Sequence, residues 1–357
     1  MQTFRPPHLK EGGVKGVVFL VHDYGDHSSW FLRDLAVALC QQEFLVVSLD
    51  LEGHGRSDGL RGRFDFGHAV IDLCDQYGAF SLEQQSTPCF LLGEGLGAAL
   101  AYKTYQMQGG RFWDGIILLS PTLAFPPRLR PSPWMLRLLR RLEPRMGDLP
   151  LIPWGRQYLD LLSDSVARQE VMENPFFIQH GMRVATIFQV LAALDELYLH
   201  PPPSFTPASL GPSPPSSGVH PRTSPPSPAV CTFNEMTAPF LILQGEEDRF
   251  HGGRERGGEG GGGAGVVVRE LHRQAKSLDK TLKFLPGLSH CLLGEGRGEG
   301  GRERGLQQVS VEVVGWLNAR CSKIVGGGQG GTGGGGEGGV DGGEMEEEDS
   351  LELVHRP

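Results

Sequence analysis

Cys89-Phe90-Leu91-Leu92-Gly93-Glu94-Gly95-Leu96-Gly97 is the stretch on which the reading of this chain turns. Cys89 to Leu92 is an apolar run of strand length, and Leu96 to about Met107 follows a helical period. Between them, glycine stands at 93, 95 and 97. A strand that breaks into a tight turn and leaves as a helix is the unit of a parallel sheet with helices on its faces. The glycines keep that turn free of side chains that would clash with neighbouring strands. The helix that follows points its first N–H groups at the turn, a ready site for negative charge.

Outward from the turn the same alternation continues. Val17 to Val21 reads as a buried strand, and the residues before it carry no strand pattern. Ser29 to Gln42 is a helix, Phe44 to Leu49 a strand, Ala69 to Phe80 a helix and Gly115 to Leu119 a strand. After Ser120 the pattern becomes helical, with prolines and arginines. It returns to strands at Pro239 to Leu243 and Thr281 to Leu285, separated by a helix at Val266 to Ser277 and closed by one at Gln307 to Arg320. The expected plan is an α/β core at 1–120 and 239–323 with a helical lid at 121–200. The chain has 52 glycines and 26 prolines in 357 residues, well above ordinary usage. They gather in a Pro/Ser linker at 201–238, Gly-rich loop inserts at 252–265 and 294–305, and a Gly-rich acidic tail at 324–357. These segments read as low-complexity chain outside the core.

The formal net charge of −9 belongs mostly to that tail, from Glu337 to Glu352, so the folded part is near neutral. This balance excludes nucleic acid as the main partner. The six cysteines have no metal-like spacing, which implies no metal or other cofactor and a reduced, cytoplasmic setting. No apolar run approaches the roughly 20 residues of a membrane span. Peripheral membrane contact is a separate matter. Trp134, Met135, Leu138 and Leu139, flanked by Arg137, Arg140 and Arg141, suit either an interfacial helix or a lid packed over an apolar pocket.

Several segments together resemble the plant-type monoacylglycerol lipase and lysophospholipase group, serine aminopeptidase-like members of the α/β-hydrolase fold. They are His22-Asp23-Tyr24-Gly25-Asp26, Glu52-Gly53-His54-Gly55-Arg56-Ser57, Phe90-Leu91-Leu92-Gly93-Glu94, Phe112-Trp113-Asp114-Gly115, Leu243-Gln244-Gly245-Glu246-Glu247-Asp248 and Leu285-Pro286-Gly287-Leu288-Ser289-His290. The resemblance implies a mostly parallel sheet with a helical lid and hydrolysis of lipid-like esters. It also implies a nucleophilic serine in a G-x-S-x-G turn. Here that position is Gly95.

The resemblance aligns the catalytic acid with Asp248 and the base with His290. Their order after the turn, each following a strand, agrees with the chain order this chemistry uses. The oxyanion donors would be the backbone N–H groups of Tyr24 and Leu96. Asp23 is a second departure, because the group has glycine there. A carboxylate beside a developing oxyanion is unfavourable unless it turns outward or is protonated. Loss of the attacking oxygen costs on the order of 10⁶ in kcat. Two readings follow: an ester-hydrolase fold with catalysis lost or severely reduced, or a non-catalytic lipid-binding or regulatory module. A water activated by His290 is a third route. Glu94, Ser289, Cys291 and Cys89 read as structural.

Overall fold

The computed structural model describes residues 1–7, 13–83, 87–110, 112–125, 130–152, 154–197, 236–248, 250, 264–296, 304–326 and 353–355. The Pro/Ser linker expected at 201–238 therefore lies almost wholly outside the described residues, as do most of the insert at 252–265 and the span 327–352.

Five strands alternate in space with helices as the apolar periods dictate. They are β2 (Gly16–Val21), β3 (Phe44–Ser48), β4 (Cys89–Glu94), β5 (Gly115–Leu119) and β6 (Phe240–Gly245). With β7 (Lys280–Leu285), β1 (Gln2–Phe4) and β8 (Leu353–His355) they form one sheet of order β7-β6-β5-β4-β2-β3-β1-β8. Pairing from β3 through β7 is parallel, while β1 runs antiparallel to both β3 and β8. This is the α/β-hydrolase architecture expected from the sequence.

Each of these five strands is apolar on both faces, and the two faces build separate cores. On β2, Val17, Phe19 and Val21 join one buried cluster, whereas Val18 and Leu20 join the other. The first cluster is covered by α2 (Phe66–Glu83) and α3 (Leu96–Gln108), through residues such as Leu73, Tyr77, Leu100 and Tyr102. The second is covered by α1 (Phe31–Gln41) and by the C-terminal helix Arg304–Gly326, through Leu35, Leu39, Val313 and Trp316. A strand buried on both faces reads as a continuous apolar run, which is why β2 to β6 are legible in the sequence.

Three findings differ from the sequence reading. A first strand exists at Gln2–Phe4, too short to show a period, and its register is fixed by Gln2 opposite Ser48 and Phe4 opposite Val46. In the tail, Leu353–His355 pairs with β1, which covers an edge that would otherwise expose unpaired backbone groups. The insert at 294–305 is not wholly outside the fold. Leu292–Gly294 is a 3-10 turn, Glu295 is buried, and the last helix already begins at Arg304.

The lid is helical, as expected: α4 (Pro133–Met146), α5 (Trp154–Leu161), α6 (Ser165–Glu173) and α7 (Val184–Leu197). Asp164 caps α6 by accepting from the N–H groups of Val166 and Ala167. Arg183 ties the lid to the loop after β3 by donating to the carbonyl of Arg61 at 2.6 Å. Among the described residues, no helix is long and apolar enough to cross a membrane.

Candidate active site

The tight turn after β4 is built around Gly95. Gly95 adopts φ 55° and ψ −120°, a left-handed conformation that a side chain makes costly. Its neighbours are glycine for a different reason. A Cβ at Gly97 would overlap the carbonyl oxygens of Val21 and His22, and one at Gly93 would overlap the backbone of Gly97 and Ala98. The turn is pressed against the end of β2, so the loop after β2 lies directly beside Gly95.

That loop carries Asp23, and Asp23 turns inward. Its Oδ1 accepts the backbone N–H of Tyr24 at 2.8 Å and that of Leu96 at 2.7 Å. These are the two donors expected to form the oxyanion hole. A Cβ built at Gly95 would overlap Cγ, Oδ1 and Oδ2 of the same carboxylate. Asp23 thus engages both of these N–H groups and fills the space that a side chain at residue 95 would enter. Of the two alternatives open to it, turning outward is not taken: Asp23 is 5% exposed. The physical reason is that two convergent N–H groups at a helix N-terminus attract a carboxylate.

Burial raises the Asp23 pKa, opposed by the charge of His290 and by the hydrogen bonds from Leu96 and Tyr24. The loop itself is fixed from below. His22 Nε2 accepts the N–H of Leu51 at 3.0 Å, so its Nδ1 carries the proton and donates to the Asp23 carbonyl at 2.8 Å. Burial lowers the His22 pKa, in keeping with that neutral tautomer. The Tyr24 hydroxyl donates to the carbonyl of Gly62 at 3.0 Å, so the tyrosine side chain points away from the turn.

His290 and Asp248 meet on the other side. Nδ1 of His290 donates to Oδ2 of Asp248 at 2.8 Å. Gln244 Nε2 donates to the same oxygen at 2.6 Å, and the N–H of Phe250 donates to Oδ1 at 2.8 Å. The phenyl ring of Phe250 packs on the imidazole with centroids 4.4 Å apart. Burial disfavours imidazolium, but the charge and hydrogen bond of Asp248, with the charge of Asp23, outweigh it. The His290 pKa is raised. His290 is hydrogen-bonded to the Asp248 carboxylate and also feels the charge of Asp23.

Glu295 is the residue the sequence did not single out. Its carboxylate accepts hydrogen bonds from Ser289 Oγ and Ser163 Oγ, and Ser289 Oγ also lies 3.0 Å from the carbonyl of Leu161. It joins the loop bearing His290 to the lid. Its position inside a Gly-rich run disguised it. Asn174 makes a second lid contact, donating from Nδ2 to Nε2 of His27 at 2.9 Å. Burial pushes His27 down to about 4.

The remaining candidates have structural settings. Burial, with the charge of Glu94, pushes the Cys291 thiol well up, and Tyr158 donates to its sulfur at 3.7 Å. Cys89 starts β4, at the opposite end from Gly95, and burial pushes its thiol up to about 12. Glu94 is buried, and among the described residues neither of its carboxylate oxygens has a hydrogen-bond partner. Burial and the charges of Asp26 and Asp23 raise its pKa well above the usual range. No group of three or more His, Cys, Asp or Glu among the described residues is placed to hold a metal.

This sheet, with a glycine turn after β4 and a buried His–Asp pair at its C-terminal edge, defines an α/β-hydrolase. Residues 12–209, more than half of the chain, match the family described as serine aminopeptidase, S33, and the chain belongs to that family. It is 27% identical over 283 residues to the monoglyceride lipase of Homo sapiens, covering 79% of this chain and 77% of that protein. It is 22% identical over 325 residues to the caffeoylshikimate esterase of Arabidopsis thaliana, covering 90% and 82%. A soluble variant of the Saccharomyces cerevisiae monoglyceride lipase, in complex with a substrate analog, shares the fold with a TM-score of 0.63. The identity there is 18%, over 89% of this chain and 90% of that one.

Proposed function

We infer that this chain keeps the architecture of a lipid-ester hydrolase but does not hydrolyse esters through a serine. The observation that carries this reading is the Asp23 carboxylate, hydrogen-bonded to both oxyanion donors and filling the space beside Gly95. An ester entering the site finds no attacking hydroxyl. Its carbonyl oxygen also finds both N–H donors already engaged by the Asp23 carboxyl group, which leaves none for a second oxygen. The pair Asp248 and His290 stands where the acid and base of serine-ester hydrolysis would, with Gly95 in the serine's position.

The ligand class remains lipid-like, in keeping with the monoglyceride lipase relatives. Trp134, Met135 and Leu138 of α4 are exposed while Leu139 is buried, an arrangement that supports peripheral contact with a membrane surface. The test is direct. The full chain is treated with a fluorophosphonate probe and, separately, with a monoacylglycerol. Neither labelling nor release of fatty acid above the uncatalysed rate is expected. Labelling of any serine in the core, or turnover, overturns the reading.

A further inference from the structure

Where the loop after β3 meets the lid segment between α6 and α7, three guanidinium groups stand without a carboxylate partner among the described residues. Cζ of Arg56 lies 5.6 Å and Cζ of Arg61 5.9 Å from the ring centroid of Phe176. Neither side chain makes a hydrogen bond or an ion pair with a described residue, and Nη1 of Arg61 is buried. Arg183 is the third: it is buried and donates to the carbonyls of Arg61 and Asp148. The Asp148 carboxylate pairs instead with Arg63. We propose that Arg56 and Arg61, stacked on Phe176, form a binding site for a phosphomonoester, either free phosphate or the head of an acyl ligand.

Charge leads to this ligand. Like charges held on one ring repel, and a buried cation without a counter-ion is costly, unless an anion joins them. The acid of the same loop does not fill that role. Asp50 is buried and accepts from the N–H and Oγ of Ser28 and from the backbone N–H of Arg56. A guanidinium stacked on an aromatic face keeps its N–H edge free, and that edge matches the oxygens of an oxoanion. A phosphomonoester carries about −1.5 to −2 charges at neutral pH and three acceptor oxygens. It can therefore answer both forks, where a single carboxylate would leave one positive charge over.

The surroundings are fixed in advance. Asn174 Oδ1 accepts the N–H of Phe176 at 3.0 Å, and the carbonyl of Gly25 accepts the N–H of Ile178 at 2.8 Å, so the ring is held from both sides. His180 adds a further polar edge beside Arg61. A Cβ at Gly62 would lie 2.8 Å from its Cε1. Its Nδ1 donates to the carbonyl of Gly181 at 2.8 Å, while Nε2 is buried without a partner among the described residues. Both arginines belong to the core and Phe176 belongs to the lid, so the anion would be bound where the two meet. The site stands whether or not esters are turned over beside Gly95.

The experiment is a calorimetric titration of the full chain in buffer free of phosphate and sulfate. The probes are inorganic phosphate, 1-hexanoylglycerol 3-phosphate and uncharged 1-hexanoylglycerol. The phosphorylated acylglycerol is expected to bind, with affinity at least about tenfold weaker in Arg56→Gln and in Arg61→Gln, as loss of a charged hydrogen bond implies. Arg273→Gln, in the helix Ala264–Gln274 and paired with Glu270, should leave it unchanged. Equal affinity for inorganic phosphate identifies the free anion as the ligand, and weaker affinity identifies the acyl head group. Failure of both phosphate probes to bind overturns the proposal. So does unchanged affinity in either folded variant, or uncharged 1-hexanoylglycerol binding as tightly as its phosphate. If Arg61→Gln does not fold, Arg56→Gln, at an exposed position, decides.

Discussion

Asp23 and Leu96 are 73 positions apart, and the side-chain oxygen of one accepts the backbone N–H of the other at 2.7 Å. The bond joins the loop after β2 to the first turn of α3. It makes the glycine at 95 and the inward carboxylate of Asp23 one structural event, since a Cβ at 95 would meet that carboxylate.

Restoring the serine alone should therefore fail. Gly95→Ser places a Cβ into the Asp23 carboxylate and a side chain on a left-handed backbone, a strain of about 1–3 kcal/mol. We expect a lower melting temperature and esterase activity within about tenfold of wild type. Asp23→Gly with Gly95→Ser frees both the room and the hole. A gain of at least ~10³ in monoacylglycerol hydrolysis over either single variant is expected, against the ~10⁶ at stake in the nucleophile. The check is fluorophosphonate labelling of the double variant, confined to the serine introduced by Gly95→Ser.

Glu94 should make the protein less stable as pH rises. Its folded pKa lies above the unfolded one, so the folded state holds the extra proton. Stability is then greatest below the unfolded pKa and falls as pH climbs towards the folded one. Glu94→Gln removes that slope. Melting curves at pH 5 and pH 8 should show the variant gaining roughly 1–3 kcal/mol on wild type at the higher pH, with little difference at the lower.

The His290 imidazole behaves in the complementary way. Its folded pKa is raised, so the stability it contributes is fully present below the unfolded value and is lost as pH rises through the folded one. Asp248→Asn removes the largest opposing charge, and burial then lowers the pKa. An NMR titration of the His290 ring should move to lower pH, and the fall in stability on raising the pH should shrink, because the folded pKa drops towards or below the unfolded one. A titration unmoved by the substitution would sever Asp248 from His290.

Glu295→Ala should loosen the His290 loop. It leaves Ser163 and Ser289 without their shared acceptor in a buried setting. A loss of about 1–3 kcal/mol is expected in denaturant melts. Faster amide hydrogen exchange is expected at Leu288 to Cys291. Exchange there unchanged from wild type would show that the lid and the loop are not coupled through this carboxylate.

The fold is legible because β2 to β6 are buried on both faces and read as apolar runs. β1 and β8, three residues each, carry no period and owe their place to pairing partners far along the chain. Gly95, Asp248 and His290 can be placed from their positions after strands. The inward turn of Asp23 cannot. A single aspartate in a polar loop looks the same whether it meets water or two N–H groups donated from both sides of a turn. Glu295 is hidden by composition, since a buried carboxylate within Gly294-Glu295-Gly296 looks like linker until Ser163 and Ser289 are seen to converge on it.

The close passage of Gly97 against the carbonyls of Val21 and His22 carries a lesson about signatures. Those glycines answer to the thickness of the chain where two strands and a helix start converge, and a hydroxyl one or two positions away has no bearing on that crowding. The spacing would survive every change of chemistry at residue 95. A search for glycine at 93 and 97 would thus report a place in a sheet, and the reaction must be sought in the side chains that reach into it.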